Sequence, residues 1–115
     1  MATGVFNAAP LRRYSGGMAT SLQLPAGVSA EDIKALASRF GARNLRVFGS
    51  RASGHARFDS DLDLLVELEP GRDLFDLIEL KHALEERTGA AVDVVTERGL
   101  SPYMRKGILR SARPL

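Results

Sequence analysis

Residues 48–68 read FGSRASGHARFDSDLDLLVEL: a glycine-serine pair, a polar spacer, then two aspartates that alternate with leucines. From Asp61 to Leu68 the apolar period is two, with Leu62, Leu64, Val66 and Leu68 on one face and Asp61, Asp63, Leu65 and Glu67 on the other. The alternation predicts a strand with one face in a core. It also sends both carboxylates off the same face, their α-carbons roughly 6.5 to 7 Å apart. Like charges at that spacing raise each other's pKa, so a stable arrangement needs a proton or a cation between them.

Upstream, Leu45 to Phe48 is a short apolar run of strand character that stops at Gly49. Gly49 lets the backbone come close to a ligand, and Ser50 follows at an expected helix N-terminus, where free amides and a hydroxyl hold phosphate. Gly54 permits a second tight bend. The pattern is not a P-loop, which needs Gly-Lys-Ser or Gly-Lys-Thr, because Gly54 is followed by His55 and Ala56.

Downstream, Pro70-Gly71 marks a turn, and Asp73 to Thr88 carries Leu74, Leu77, Ile78, Lys81 and Leu84 at helical spacing before stopping at Gly89. Ala91 to Thr96 reads as a strand with Asp93 in its middle, followed by a helix from Pro102 to about Arg110. On the N-terminal side, Ser29 is a good N-cap with Asp32 spaced to complete a capping box, and Ile33, Leu36, Ala37 and Phe40 form one stripe ending at Gly41. Residues 1–28 mix Gly, Pro, Ser and Ala without a period, which predicts an irregular or disordered leader, with Met18 as an alternative start. Residues 29–115 then form one domain. Three strands and several helices predict an α+β fold, a small mixed sheet with helices packed mainly on one face.

A carboxylate in the middle of AAVDVV is costly to bury unless it has a partner. If strand 91–96 lies beside strand 61–68, Asp61, Asp63 and Asp93 face one point and suit a hard divalent ion such as Mg²⁺, which keeps waters and shares its remaining positions with substrate phosphates. The chain has no cysteine and two histidines, so disulfides, thiolate zinc sites and cysteine nucleophiles are excluded. An EF-hand read from Asp59 fails, offering Leu64 where its glycine is needed and Pro70 where its bidentate glutamate belongs. A lone Asp-x-Asp is more often a pair of solvated surface carboxylates, so the pair takes its meaning from the turn ahead of it.

At 115 residues, 44% hydrophobic and 26% charged, the composition suits one globular domain. No apolar run approaches the roughly 20 residues that span a bilayer, and the N-terminus lacks the apolar core of a signal peptide, so a cytoplasmic location without membrane association is expected. The net charge is +2, and only the segment with Arg98, Arg105, Lys106, Arg110 and Arg113 is clearly basic, which suits a solvated helix face better than a nucleic-acid footprint. His55 and His82 lack ligand spacing, and Tyr103 alone makes no base pocket. Phe75, Leu77 and Leu80 either broaden the core face of their helix or offer a docking surface.

The stretch GSRASGHARFDSDLDLLV resembles the minimal nucleotidyltransferases, the MNT branch of the DNA polymerase beta-like superfamily. Their signature is Gly-Ser, a short spacer, then Ser-Asp-x-Asp followed by apolar residues, with a third acid on a later strand. Gly49, Ser50, Ser60, Asp61, Asp63 and Asp93 carry the resemblance, which covers residues 30–115. It departs at Ser53, where many relatives have arginine, while Arg51 and Arg57 remain nearby as replacements for phosphate contact. The resemblance implies a nucleotidyltransferase fold in which Gly49, Ser50, Arg51 and Ser60 bind the nucleotide. It further implies Asp61, Asp63 and Asp93 as catalytic ligands for Mg²⁺ or Mn²⁺, and ATP as the substrate whose AMP passes to a hydroxyl. The acceptor is expected on a partner: a tyrosine of a HEPN-family toxin, with this chain as antitoxin, or nucleic acid. Self-association is left open. One alternative is a noncatalytic module of the same fold that neutralises its partner by contact, which Ser53 motivates. Another, an antibiotic-modifying nucleotidyltransferase, is weaker because such enzymes generally carry a further substrate-binding domain.

Overall fold

The computed structural model describes residues 22–57 and 59–115, and the expectations for residues 1–21, including a start at Met18, lie outside them. In chain order the elements are α1 (Ala30–Ser38), β1 (Ala42–Phe48), the one-turn α2 (Ser50–Ser53), β2 (Leu62–Leu68) and α3 (Leu74–Thr88). They continue with β3 (Val92–Val95), a 3-10 turn at Glu97–Gly99, α4 (Pro102–Ser111) and β4 (Arg113–Pro114). The four strands make one sheet in the order β3-β2-β1-β4. β2 and β3 run parallel, and β1 is antiparallel to both its neighbours. A parallel pair needs a crossover between its strands, and α3 supplies it. The sheet is mixed, as expected.

Local chemistry starts the helices. Ser29 with Asp32, and Asp73 with Asp76, form reciprocal capping boxes at the beginnings of α1 and α3. Each satisfies amide donors that the first turn leaves without partners. α3 ends on Gly89 in the left-handed region, φ 72°. Ile33 and Ala37 of α1 and Leu80 and Leu84 of α3 then meet Val47, Leu62, Leu64 and Val66 of the sheet in one buried cluster. Each fully buried Leu or Ile stabilises the fold by about 1.5 to 3 kcal/mol over its exposed state. The cluster therefore fixes the face of β2, since a slip of one residue would drive Asp63 into the core and the leucines out. Leu65, on the carboxylate face, is also buried, and Ile108 of α4 is buried outside the main cluster, so the second face is not bare.

The structure differs from the sequence reading in several places, the smallest being that β2 begins at Leu62 rather than Asp61. β1 begins at Ala42 rather than Leu45, because Asn44 takes a left-handed φ of 51° where the register with β2 shifts between Arg43 and Arg46. Such a bulge breaks the alternation that marks a strand, and Asn tolerates that conformation better than most residues. β3 is shorter by one residue at each end. The sheet has a fourth strand, β4, where Pro114 pairs at an edge and its missing N–H costs nothing. Finally, Leu22, Leu24 and Val28, from the expected leader, pack against the core. Among the described residues no helix is long and apolar enough to cross a membrane.

Candidate active site

Parallel pairing sets Asp63 of β2 opposite Asp93 of β3, in a ladder that begins with the Leu62 N–H donating to the Ala91 carbonyl at 2.8 Å. Adjacent strands lie about 4.8 Å apart, so the two carboxylate-bearing α-carbons are immediate neighbours. α3 holds β3 in this position. The Glu85 carboxylate accepts the Val92 N–H at 3.1 Å and Lys81 Nζ at 2.9 Å, which docks the helix onto the residue before Asp93. The Lys81 hydrogen bond, then that from Val92, keeps the Glu85 carboxyl below its ordinary range.

On the other side of β2, Phe48 pairs with Asp63, which brings Gly49 to the same end of the sheet. Gly49 has φ 74° and ψ −156°, and a Cβ on it would collide with Asp63 Oδ2. Glycine is required there both for the backbone conformation and for the space the carboxylate occupies. α2 follows directly, its first turn closed by the Ala52 and Ser53 amides donating to the Gly49 carbonyl at 3.1 Å each.

Asp63 is half-buried, and Asp61 and Asp93 are exposed beside it. Burial pushes the Asp63 carboxyl above its ordinary range, the charges of Asp93 and then Asp61 push it further, and only Arg51 opposes them. The three predicted acids therefore act on one place. Their oxygen-only donor set and unrelieved negative charge fit a hard divalent cation. Among the described residues they do not form a ready-made cage of three ligands. Mg²⁺ rarely has one, since it retains waters and takes its remaining oxygens from substrate phosphates.

Two residues expected to contact the nucleotide are committed elsewhere. The Arg51 side chain is 3% exposed, and it donates from Nε and Nη2 to the Ser60 carbonyl at 3.2 and 2.7 Å and from Nη1 to the Gln23 carbonyl at 2.7 Å. Ser60 closes its own turn, its Oγ accepting the Arg57 N–H at 2.7 Å and its N–H donating to the Arg57 carbonyl at 3.0 Å. Ser53 is tied to α2, its Oγ donating to the Ser50 carbonyl at 3.2 Å and lying 3.0 Å from His55 Nδ1. Of the residues expected to contact phosphate, Gly49 and Arg57 are exposed and Ser50 is half-buried. His82 and Tyr103 are both exposed. Leu80 is fully buried and Leu77 packs on the core, whereas Phe75 is 74% exposed beside Leu74. The sequence reading missed Gln23, whose only signal is the short alternation Leu22-Gln23-Leu24.

Residues 31–115 match the family described as nucleotidyltransferase domain. The chain is similar to the protein adenylyltransferase MntA of Thermococcus cleftensis, 43% identical over 77 residues that cover 67% of this chain and 78% of that one. A solved structure provisionally described as a minimal nucleotidyltransferase superposes with a TM-score of 0.66 at 55% identity, covering 74% of this chain and 87% of the other. The fold also recurs in the complex of a tri-AMPylated Shewanella oneidensis HEPN toxin with MNT antitoxin, with a TM-score of 0.57 at 20% identity and coverage of 73% and 66%.

Proposed function

The chain belongs to the nucleotidyltransferase domain family, and from that premise we propose that it is a protein adenylyltransferase. It moves AMP from ATP onto a tyrosine hydroxyl of a HEPN-type toxin and so acts as that toxin's antitoxin. The observation that carries this reading is the contact between turn and acids: Gly49 yields its Cβ position to the Asp63 carboxylate, which lies opposite Asp93. The name of the Thermococcus relative and the AMPylated toxin in the Shewanella complex support the acceptor class.

Asp61, Asp63 and Asp93 are the residues that would hold Mg²⁺ or Mn²⁺, and the bound cation supplies charge neutralisation at the phosphates and at the attacking and leaving oxygens. Gly49 and Ser50 offer amide and hydroxyl donors to the triphosphate. Asp93 accepts the proton of the acceptor hydroxyl. The hydroxyl oxygen bonds to the α-phosphorus, the bond from that phosphorus to the bridging oxygen breaks, and pyrophosphate leaves with the electron pair. A protein acceptor is favoured over nucleic acid because Arg46 and Arg105 both engage Glu97, so part of the chain's basic character is used internally. With ATP as its substrate, the protein on this reading acts in the cytoplasm.

A contact-only antitoxin is the second reading, motivated by Ser53, where the sequence departs from the pattern of the family it resembles. Incubating the protein with a HEPN-type toxin, Mg²⁺ and ATP labelled on its α-phosphate separates the two. Label on a toxin tyrosine that is lost with Asp61→Asn, Asp63→Asn is the expected result. Full neutralisation by that double variant without label would establish contact alone.

A further inference from the structure

A segment that precedes the family match is tied into the loop leading to Asp61. The Gln23 N–H donates to the Arg51 carbonyl at 3.0 Å, its carbonyl accepts from Arg51 Nη1 at 2.7 Å, and its Oε1 accepts the Ala56 N–H at 2.9 Å. Leu22 and Leu24 on either side pack on the core, so burial anchors the segment while Gln23 addresses α2 and the bend after it. Gln23 lies outside the matched residues 31–115.

The buried Arg51 guanidinium then bridges from the Gln23 carbonyl to the Ser60 carbonyl, immediately before Asp61. A desolvated guanidinium is unfavourable unless its N–H groups find acceptors, so this geometry strongly favours keeping both carbonyls in place. Both belong to chain without helix or strand, which has no ladder of its own to hold it. The fork is specific to arginine, because a lysine ammonium lacks the planar donor array that bridges two separated oxygens.

We propose that Arg51 is a positioning residue and that Gln23 and Arg51 together form a clip that sets the main chain of Ser60, and hence Asp61, against Gly49 and Asp63. The catalytic consequence rests on the nucleotidyl-transfer reading, whereas the structural consequence rests on the geometry alone. The test uses the full chain carrying Arg51→Lys, Gln23→Ala, or both, with thermal unfolding to establish that each variant is folded. Amide hydrogen exchange at Arg57 and Ser60, without nucleotide, reports whether the turn stays closed. Arg51→Lys should accelerate exchange there by about tenfold or more, as expected for losing a charge-assisted hydrogen bond. Gln23→Ala, at an exposed position, removes only the Oε1 bond and should give about threefold, keeping the test available if Arg51→Lys fails to fold. The double variant should exceed Arg51→Lys alone by no more than the Gln23→Ala factor, because alanine keeps the main-chain carbonyl that Arg51 grips. In AMP transfer, kcat should fall in the same order while KM for ATP moves less than about threefold, since the Gly49 and Ser50 donors remain. Unchanged exchange at Ser60 in Arg51→Lys, or at Arg57 in Gln23→Ala, would overturn the clip. Accelerated exchange with unchanged kcat would overturn its positioning role. If the wild-type chain transfers no AMP, the functional reading fails and the exchange data still decide whether the clip exists.

Discussion

Where β2 and β3 begin, Asp63 faces Asp93 with Asp61 beside them; toward the other end, Glu67 near the end of β2 and Glu97 just after β3 each meet cations or amides. Glu67 takes Asn44 Nδ2 at 2.8 Å and Arg43 Nε at 3.8 Å, and Glu97 takes Arg46 Nη2 at 3.1 Å and Arg105 Nη2 at 3.5 Å. A cleft of about 630 Å³ at that second end is lined by Arg43, Glu67, Glu97 and Arg105, with Glu69, Arg72 and Arg98 also in its wall. Its polar groups are largely matched within the chain. The first end has three acids whose charges Arg51 only partly offsets, an arrangement that a fold selected for stability alone would not keep. What differs between the ends is whether the protein completes its own electrostatics, and the incomplete end is the one suited to a charged ligand.

The comparison breaks if the incomplete end does not matter for chemistry. Asp63→Asn keeps the shape and removes a ligand charge, so kcat/KM for AMP transfer should fall at least about a thousandfold with the fold intact. Gly49→Ala attacks the same end through geometry. It places a methyl where Asp63 Oδ2 lies and forces an L-residue to φ 74°, so transfer should fall by about a hundredfold and stability by about 1 to 3 kcal/mol in urea unfolding. Normal turnover in either variant would show that the apposition of turn and acid is not the active arrangement.

Arg46→Met tests the other end. Glu97 would lose a partner at a partly buried position, a loss of about 1 to 2 kcal/mol, while kcat stays at the wild-type value. Arg46 Nε is itself buried without a hydrogen-bond partner, and removing that donor offsets part of the loss, which favours the lower figure. A drop in kcat with unchanged stability would mean that the two ends are coupled.

The acidic end was legible because its decisive signals are local. Alternation along β2 assigned the carboxylates to a face, Gly49 marked a place where the backbone can come close to a ligand, and Asp93 stood out as a charge inside an apolar run. The parts that escaped depend on distant segments meeting. Arg51 read as a ligand-binding cation, since arginine is rarely buried without partners, and its partners are carbonyls, one of them on Gln23 far along the chain. No side chain announces that its neighbour's carbonyl will be an acceptor. β4 is two residues long and exists only because β1 offers it an edge. The bulge at Asn44 hid the first half of β1 for a related reason: its charged and polar residues obey the pairing with β2, not an alternation of their own.

The smallest effect sharpens the comparison most, because it separates the site's charge from its chemistry. Asp63 has a folded-state pKa above its unfolded value, so the folded chain holds this proton the more tightly. Its contribution to stability is complete below the ordinary carboxylate range, about pH 4, and is lost as pH rises through the raised folded value. At pH 7 without divalent cations, Asp63→Asn should therefore melt higher than the wild type, by the equivalent of less than about 1 kcal/mol, because the half-buried group is screened by solvent. The gap should close as pH falls below about 4, where the aspartate is protonated and resembles the amide. Adding Mg²⁺ at pH 7 should raise the wild-type midpoint more than that of the variant, since the cation relieves the repulsion among three carboxylates and finds one ligand fewer in the variant. A wild type more stable than Asp63→Asn in chelator at pH 7 would mean that the carboxylate is already compensated within the fold, and the contrast between the two ends of the sheet would disappear.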